Sequence, residues 1–376
     1  MKVAHLVSTF YPRVGGMGEI CRQEAELLSL HDINVSVFTL LYPGKIKKME
    51  NSLYSIKRLR PLFRLSDGGE VPQLLWKLRE FDIVHLHYPF YGAQEWVWLS
   101  RLISKKPYVV TYHMDADSSG FIYKKIQSVY DKIWAGRVLG GAKKIIAIDR
   151  AHFDNTRYGK CCRPDSVEEV FNAVNSDIFH PTGASWANLG LPELVGRQTL
   201  LFVGNFLPFK RFDLLCEALA MLPKEMALVA VGDGYCRDEY RAKIKSMGLA
   251  SRVTFYGRCV NKNKLADLYS AADCLVVPSD RAESFSLTAL ESQACGTPVI
   301  ATNIPGVRGR IEDGCDGFLF ASGDKFDMAK KISTFFALSP EERALMGKSG
   351  RSKILSKYSW DDHIKKLITI YHEVLA

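Results

Sequence analysis

Short apolar runs recur throughout this 376-residue chain, and helical spacers separate them. Eleven runs, such as VAHLVS and TLLFVG, are rich in Val and Ile, whereas spacers such as GEICRQEAELLSLH are amphipathic. Such runs are typical of buried parallel strands, whose crossover helices cover both faces of the sheet. Five runs precede residue 150 and six follow residue 198. The pattern therefore predicts a doubly wound α/β fold that occurs twice.

Chain length and a loop-rich segment place the domain boundary. Single cores stop growing beyond roughly 250–300 residues, so this length predicts two domains. Residues 175–195 are rich in Asn, Gly, Pro and Ser without a clear period, and we interpret them as the linker. The predicted first domain is 1–180 and the second is 181–358. Residues 359–376 have apolar positions at helical spacing, which predicts a C-terminal helix that packs toward the first domain.

Other features exclude several classes of protein. None of the apolar runs approaches the roughly 20 residues of a membrane span. The opening MKVAHLVSTFYP lacks the long apolar core of a signal peptide, and the nine cysteines are scattered without a CxxC pair. We expect a cytoplasmic protein with reduced thiols, and a peripheral position on the cytosolic face of the inner membrane is a further hypothesis.

A basic segment carries much of the net charge of +9. Residues 43–64 hold seven Lys/Arg against Glu50, with Leu, Phe, Ile and Tyr interleaved. This composition favours docking to anionic lipid or phosphate, and a solvated surface is the alternative. Nucleic acid is not expected as a partner, because no nucleic-acid-binding motif accompanies the charge.

Two loops carry candidate anion-binding residues. Gly15 and Gly16 stand where a helix is predicted to begin, so backbone N–H groups there can approach an anion, although a tight turn is the alternative. The spacing is not GxGxxG, which disfavours a dinucleotide dehydrogenase. Lys210 and Arg211 follow the run TLLFVG, at a position suited to clamping a diphosphate.

Histidines and acids offer weaker signals. His85 and His87 alternate on one predicted strand, and a metal site there needs partners that the sequence does not reveal, so we interpret both as structural. The spacing Asp115-Ala116-Asp117 matches a metal-binding DxD but arises often by chance. We therefore predict no metal and no cofactor. His113 ends a buried run and is suited to contact a sugar hydroxyl or phosphate oxygen, with a purely structural role as the alternative.

Two glutamates lie eight residues apart in RAESFSLTALESQACGTPVIATNIPG, residues 281–306. We predict a helix that begins directly after Glu283 and contains Glu291, so that the two acids lie about 12 Å apart along its axis. That distance matches the length from a hexose through a diphosphate to a ribose in one ligand. Glu283 is then expected to hold the sugar and Glu291 the ribose diol, while phosphate binds the N–H groups near Phe285, Ser286 and Leu287.

These residues together resemble the retaining, nucleotide-sugar-dependent glycosyltransferases of family 4, which have the GT-B fold. The resemblance covers nearly the whole chain, and its most specific element is ESFSLTALESQACGTPVIAT. It implies two Rossmann-like domains that face a cleft, with a C-terminal helix returning to the first domain. It also implies that His113, Glu283 and Lys210 are catalytic, and that Gly15, Gly16 and Glu291 bind the donor.

The sequence departs from the family pattern at several positions. The family's usual Gly-Arg pair is Gly204-Asn205 here, so one phosphate-binding cation is missing and Arg211 is expected to compensate. The usual NGVD is NAVN, and EGFG is ESFS. The donor site predicted with these departures consists of Gly15, Gly16, Asn205, Lys210, Arg211, Glu283, Phe285, Ser286, Leu287 and Glu291.

The resemblance implies a metal-independent hexosyltransferase. The expected reaction moves a mannose-, rhamnose- or glucose-type sugar from a GDP- or UDP-sugar, a co-substrate, to a saccharide or polyprenyl-linked acceptor in cell-surface polysaccharide synthesis. Two alternatives remain: a nucleotide-sugar epimerase on the same fold, and a non-catalytic nucleotide-sugar-binding protein.

Overall fold

The computed structural model describes residues 1–12, 15–42, 53–65, 67–114, 121–159, 162–280 and 282–376. These residues form two compact units, the first made of residues 1–172 with 361–376 and the second of residues 173–360. The lysine-rich residues 43–52 of the basic segment and the acids at 115 and 117 lie outside the described residues.

Strands are found at all eleven apolar runs, together with four further short segments. The first unit contains β1 (Lys2–Leu6), β2 (Asn34–Leu40), β3 (Ser55–Leu59), β4 (Arg64–Leu65), β5 (Gly68–Gly69), β6 (Ile83–Tyr88), β7 (Tyr108–Tyr112), β8 (Lys144–Ala147) and β9 (Val167–Glu169). The second contains β10 (Thr199–Val203), β11 (Ala227–Val231), β12 (Val253–Gly257), β13 (Cys274–Val277), β14 (Val299–Thr302) and β15 (Gly317–Phe320).

Helices connect these strands. In the first half of the chain they are α1 (Gly16–Leu30), α2 (Leu74–Lys77), α3 (Gln94–Ser104), α4 (Phe121–Gly141) and α5 (Arg150–Asp154). The later ones are α6 (Phe212–Ala220), α7 (Arg237–Ser246), α8 (Lys262–Ala271), α9 (Leu287–Ala294), α10 (Pro305–Arg308), α11 (Lys325–Ala337), α12 (Pro340–Lys357) and α13 (Trp360–Leu375).

Both large sheets are parallel throughout. The strand order is β3-β2-β1-β6-β7-β8-β9 in the first unit and β12-β11-β10-β13-β14-β15 in the second, while β4 and β5 form a small antiparallel pair. The predicted fold of two Rossmann-like parallel-sheet domains is confirmed. The strand order reverses direction between β1 and β6, and again between β10 and β13. Ligands of open parallel sheets bind beyond the carboxyl ends of strands at such reversals.

The boundary between the units lies at 172/173, whereas the sequence analysis placed it at 180/181. Residues after 172 contact the second unit: the Val174 amide donates to the Tyr358 carbonyl at 3.1 Å, and the Phe179 and Tyr269 rings lie 6.2 Å apart. The polar composition of the linker gives no indication of either contact. Residues 361–376 belong to the first unit, where His363 and Tyr371 of α13 are buried.

Helix α1 shows how the sheet of the first unit is covered. Its buried residues Ile20, Ala25 and Leu28 recur at helical spacing and form one apolar face. Glu24 lies on the same face, four residues after Ile20, and is also buried. A carboxylate among apolar residues is expensive to bury unless it is paired, so this position needs a partner.

Candidate functional site

Lys210 and Glu283 lie after the two strands that flank the reversal of the second sheet. Lys210 ends a short 3-10 turn that follows β10, and Glu283 lies in the loop that follows β13. The two loops are joined because the Asp280 amide donates to the Phe209 carbonyl at 2.8 Å. Sequence reasoning placed both charged residues at strand ends, and the topology explains why they meet.

The two side chains form a nearly buried ion pair. The Lys210 ammonium contacts Glu283 Oε2, and the side chains are 16% and 9% exposed. The Ser279 hydroxyl also donates to Glu283 Oε2, at 2.8 Å. The carboxylate is therefore held in place by two donors, and the cation lies beside it at the strand ends where ligands bind.

The helix of the opening pattern is shorter than predicted. Helix α9 begins at Leu287 with Ser286 as N-cap, so residues 283–286 are not helical and the 12 Å helical rise between the two acids is wrong. Gly306 of α10 lies directly against this irregular segment. A Cβ at that position would lie 2.1 Å from the Glu283 carbonyl oxygen, so the loop and α10 approach too closely for any side chain.

The predicted phosphate-binding amides divide between this loop and α9. Phe285 is buried and its ring lies 3.9 Å from the Arg310 guanidinium, which fixes the loop before the helix. Leu287 is the first helical residue, and helix geometry leaves the first-turn N–H groups without acceptors inside the helix. Of the three predicted amide positions, Leu287 thus lies in the first turn, Ser286 is the N-cap and Phe285 precedes it.

Glu291 lies within α9, and a hydrogen bond from a buried tyrosine orients its side chain. The Tyr269 hydroxyl donates to Glu291 Oε2 at 2.8 Å, and Tyr269 itself is fully buried. Burial, followed by the neighbouring carboxylate, raises the pKa of Tyr269 well above its usual value, so the hydroxyl keeps its proton. Sequence reasoning missed Tyr269, because nothing in the spacing of α8 identifies which residue faces α9.

Two further predicted donor residues flank Lys210. Asn205 is exposed in the loop after β10. Arg211 adopts a left-handed backbone with φ of 49°, a conformation that glycine adopts without strain. Its guanidinium donates to both carboxylate oxygens of Asp213, at 3.2 and 3.3 Å. Asp213 therefore already neutralises part of the charge that Arg211 was expected to supply.

The glycine loop of the first unit precedes α1. Gly15 is the N-cap with an extended φ of −160°, so no left-handed backbone is required there, and Gly16 begins the helix. Gly18 has a different role. A Cβ at Gly18 would lie 2.4 Å from the Thr9 carbonyl oxygen, so the first turn of α1 packs directly on the loop after β1.

His113 follows β7 and is buried at the end of a chain of imidazoles. Its Nε2 lies 2.9 Å from His87 Nδ1, and His87 Nε2 lies 3.0 Å from His5 Nδ1. Burial lowers the pKa of His113 to about 4 and that of His5 to about 4. His113 thus belongs to an extended cluster, which the sequence analysis did not foresee.

Glu24 and His363 complete this cluster. His363 Nε2 lies 2.9 Å from Glu24 Oε1, and its Nδ1 lies 2.7 Å from the Phe171 carbonyl oxygen. Burial raises the pKa of Glu24, but the bond from His363 and the nearby imidazoles outweigh it and bring that pKa to about 2. His85 and His87 therefore have partners from α1, β1 and α13 that lie far away in the sequence.

The described part of the basic segment is largely engaged with the protein. Lys57 pairs with Glu80 at 2.5 Å, Arg58 donates to the Tyr11 carbonyl at 2.6 Å, and Arg64 donates to the Leu41 carbonyl. Leu62 and Phe63, which follow β3, are 74% and 64% exposed. No described helix has the length and apolar character needed to cross a membrane.

Comparisons with known proteins identify the family of the chain. Two family models match, Glycosyltransferase Family 4 over residues 14–178 and Glycosyl transferases group 1 over residues 191–353. A D-inositol 3-phosphate glycosyltransferase from Thermomonospora curvata is 33% identical over 319 residues, which cover 77% of this chain and 71% of that protein.

Two solved structures share the fold. Sucrose-phosphate synthase from Thermosynechococcus elongatus has a TM-score of 0.83 at 23% identity, with 99% of this chain and 98% of that one covered. Anabaena Alr3699/HepE in complex with UDP and glucose has a TM-score of 0.81 at 18% identity, with 98% and 99% covered. The chain belongs to the family 4, or group 1, glycosyltransferases, and its activity is glycosyl transfer.

Proposed function

We propose that the protein transfers a mannose-, rhamnose- or glucose-type hexose, with retention of configuration, from a GDP- or UDP-sugar to a saccharide or polyprenyl-linked acceptor in surface polysaccharide synthesis. The observation that carries the proposal is the Lys210–Glu283 pair at the reversal of the second sheet. A cation beside a carboxylate at this point suits a ligand with a diphosphate next to a polyhydroxylated ring.

Each charge of the pair has a separate part in the proposal. Lys210 binds the diphosphate, with the first-turn amides of α9 as further donors. Glu283 accepts hydrogen bonds from sugar hydroxyls, and Ser279 keeps its carboxylate in position. Glu291, oriented by Tyr269, binds the ribose diol. The ion pair must therefore loosen when the donor enters, since Lys210 exchanges a carboxylate for phosphate oxygens.

The proposed reaction takes place on one face of the sugar. The bond between C1 and the phosphate oxygen breaks, and its electron pair stays on the diphosphate. The acceptor oxygen forms the new bond on the same face, and its proton passes to the departing phosphate oxygen. Lys210 and the α9 amides stabilise the charge that develops there, so positioning and electrostatics supply the catalysis without a metal. The contact of His113 with a sugar hydroxyl or phosphate oxygen stays a prediction of the sequence.

The comparisons inform the choice of substrates. The Thermomonospora relative is a D-inositol 3-phosphate glycosyltransferase, and the HepE structure contains UDP and glucose. These names support a UDP-sugar as the first donor to test and polyhydroxylated rings, with and without phosphate, as the first acceptors.

Membrane association is a separate part of the proposal. The exposed pair Leu62–Phe63 lies two residues after Arg60, a combination that favours insertion at an anionic bilayer surface. The test is co-sedimentation of the protein with vesicles that contain anionic lipid and with vesicles that contain none. Leu62→Ser/Phe63→Ser is expected to abolish binding, whereas Leu345→Ser, at an exposed site of the second unit, is the control. Equal sedimentation of wild type with both vesicle types would contradict the electrostatic part.

A panel of nucleotide sugars tests the central proposal. The protein is incubated with GDP- and UDP-hexoses, with and without acceptors, and donor and products are separated by chromatography. We expect the donor to be consumed only when an acceptor is present. Lys210→Ala and Glu291→Ala are expected to abolish it, while the exposed-site controls Lys224→Ala and Glu225→Ala retain it. Full transfer by either site variant would overturn the assignment.

The same panel distinguishes the alternatives. Isomerisation of a donor without acceptor would identify an epimerase, and binding of an unchanged donor would identify a non-catalytic protein. The anomeric configuration of the product, read by NMR, decides whether transfer is retaining.

A further inference from the structure

Three histidines project from one face of the first sheet. His85 and His87 are two residues apart on β6, so their side chains point to the same face, and His5 of β1 is the register partner of His85. Helix α1 places Glu24 against this face. One ligand atom from each of the four residues lies within 4.8 Å of the others, and all four side chains are buried.

Three of the four ligand atoms form an isosceles triangle. His5 Nδ1 and His87 Nε2 lie 3.0 Å apart, and Glu24 Oε2 lies 3.6 Å from each. A point equidistant from these three atoms lies about 2.0 Å from each. Zinc binds imidazole nitrogen at about 2.0–2.1 Å and carboxylate oxygen at about 2.0–2.2 Å. The triangle thus has the size of a metal coordination site before any side chain moves.

Glu24 supplies an independent observation. Its side chain is 1% exposed, and its Oε2 points at the two imidazoles but lacks a hydrogen-bond partner among the described residues. The 3.6 Å separations are too long for hydrogen bonds. A buried carboxylate oxygen without a donor is costly. A cation at the centre of the triangle would satisfy it.

The atoms that face away from the triangle are already paired. His5 Nε2 lies 3.2 Å from the Tyr371 hydroxyl, His87 Nδ1 lies 2.9 Å from His113 Nε2, and Glu24 Oε1 accepts from His363. Outer partners of this kind orient the ligands of metal sites and fix their tautomers. The two ring nitrogens of His85, by contrast, face Tyr371 and Thr111, which leaves His85 as a neighbour that stacks on His87.

We propose that His5, His87 and Glu24 form a buried binding site for one divalent transition-metal ion of the zinc type. Two imidazoles favour zinc or a related ion over magnesium, which prefers oxygen ligands. The ion joins β1, β6 and α1, and none of its three protein ligands is among the residues assigned to the donor or to the transfer step. When His87 binds metal through Nε2, its proton stays on Nδ1 and is donated to His113, so the ion also sets the tautomer of His113.

Metal uptake by the untagged full-length chain tests the proposal. Because the site is buried, the protein is unfolded in denaturant with chelator, dialysed, and refolded with Zn²⁺, Co²⁺ or Mg²⁺. After gel filtration, elemental analysis is expected to find one Zn²⁺ or one Co²⁺ per chain and no retained Mg²⁺. The Co²⁺ protein is expected to show visible ligand-field absorption and paramagnetically shifted N–H resonances from two imidazoles.

Variants assign the ligands. Glu24→Gln is expected to weaken Zn²⁺ binding by at least about 100-fold, whereas His31→Gln, at an exposed histidine on the same unit, leaves it unchanged. If Glu24→Gln does not fold, the count of shifted imidazole resonances in wild type still decides the ligand set. Refolded protein that retains less than a tenth of an equivalent, or loses its metal with His31→Gln, overturns the proposal. Either result leaves the acceptor-dependent transfer assay untouched, so this failure is distinguishable from failure of the proposed function.

Discussion

Replacing Lys210 tests how strongly the fold of the second unit depends on the Lys210–Glu283 pair. In Lys210→Met, the Glu283 carboxylate stays nearly buried and keeps only the Ser279 hydroxyl as a donor. Loss of one partner of a buried pair costs about 3–5 kcal/mol. Since the lysine side chain is 16% exposed, we expect a value near the lower limit, about 3 kcal/mol.

This cost is measurable in the unfolding of the second unit. For a unit of this size, about 1 kcal/mol corresponds to about 2–4 °C, so the Tm in Lys210→Met is expected to fall by about 6–12 °C. The double variant Lys210→Met/Glu283→Gln leaves no uncompensated charge, and it should recover most of that loss. Calorimetry on wild type, both single variants and the double variant gives the coupling energy.

The transfer rate of the double variant shows whether Lys210 acts in catalysis as well as in stability. Transfer by the double variant is expected to stay at least about 100-fold below wild type, because the cation that stabilises the leaving diphosphate is still missing. The control Lys331→Met removes a cation 3.4 Å from Asp313 in a pair that is 26% and 48% exposed, and it should cost less than about 1 kcal/mol. Additive effects of the two site substitutions, or recovery of turnover in the double variant, would refute this reasoning.

Three further predictions concern single contacts. Tyr269→Phe removes the donor to Glu291 and should raise the donor KM by about 2–10-fold, measured by initial rates. Gly306→Ala forces the Glu283 backbone away from α10, so calorimetry should show a loss of about 1–3 kcal/mol and assays a loss of transfer. Burial raises the pKa of Glu95 to about 7 despite a hydrogen bond from Tyr130. The folded state therefore favours the protonated form. The free energy of unfolding should fall by up to about 3 kcal/mol as the pH rises from 4.5 to 7.

Each of these has a control. Wild-type KM in Tyr269→Phe would mean that Glu291 does not bind the donor. Gly136→Ala places a methyl group where nothing lies within 4 Å, so it should leave the Tm unchanged or higher. Glu95→Gln should remove the slope of unfolding free energy between pH 4.5 and 7, and an undiminished slope would assign it to other groups.

Much of the fold could be predicted from the sequence because its signals are local. All eleven apolar runs are strands, since Val- and Ile-rich segments between amphipathic helices have few other ways to bury their side chains. The missed strands β3 and β9 lie at the sheet edges and have the sequences SIKRL and VEE, whose polar residues are half-buried or exposed. Edge strands lack the two-sided burial that makes a run continuously apolar.

The candidate site was predictable in its residues but not in its partners. Lys210 and Glu283 follow strands, so topology brings them together once the strand order is known. Ser279 lies four residues before Glu283, and its hydroxyl reaches the carboxylate within an irregular loop outside the helices and strands. No spacing rule anticipates such a contact. The irregular segment before α9 was missed for the same reason, because apolar periodicity alone suggests a helix there.

The histidine cluster was the least predictable part. His85 and His87 share a strand face by simple alternation, but their neighbours Glu24 and His363 lie 339 residues apart from each other. Only the packed structure reveals that such distant residues converge.

That distance has a consequence for how the chain is made. His363, which contacts Glu24, and Tyr371, which contacts His5, are synthesised after the entire second unit. Residues 1–172 therefore leave the ribosome before His363 and Tyr371 exist. Until then, the polar interior of the first unit lacks these two side chains. The second unit, by contrast, is the continuous stretch 173–360. It can therefore fold before the last residues of the first unit have been synthesised.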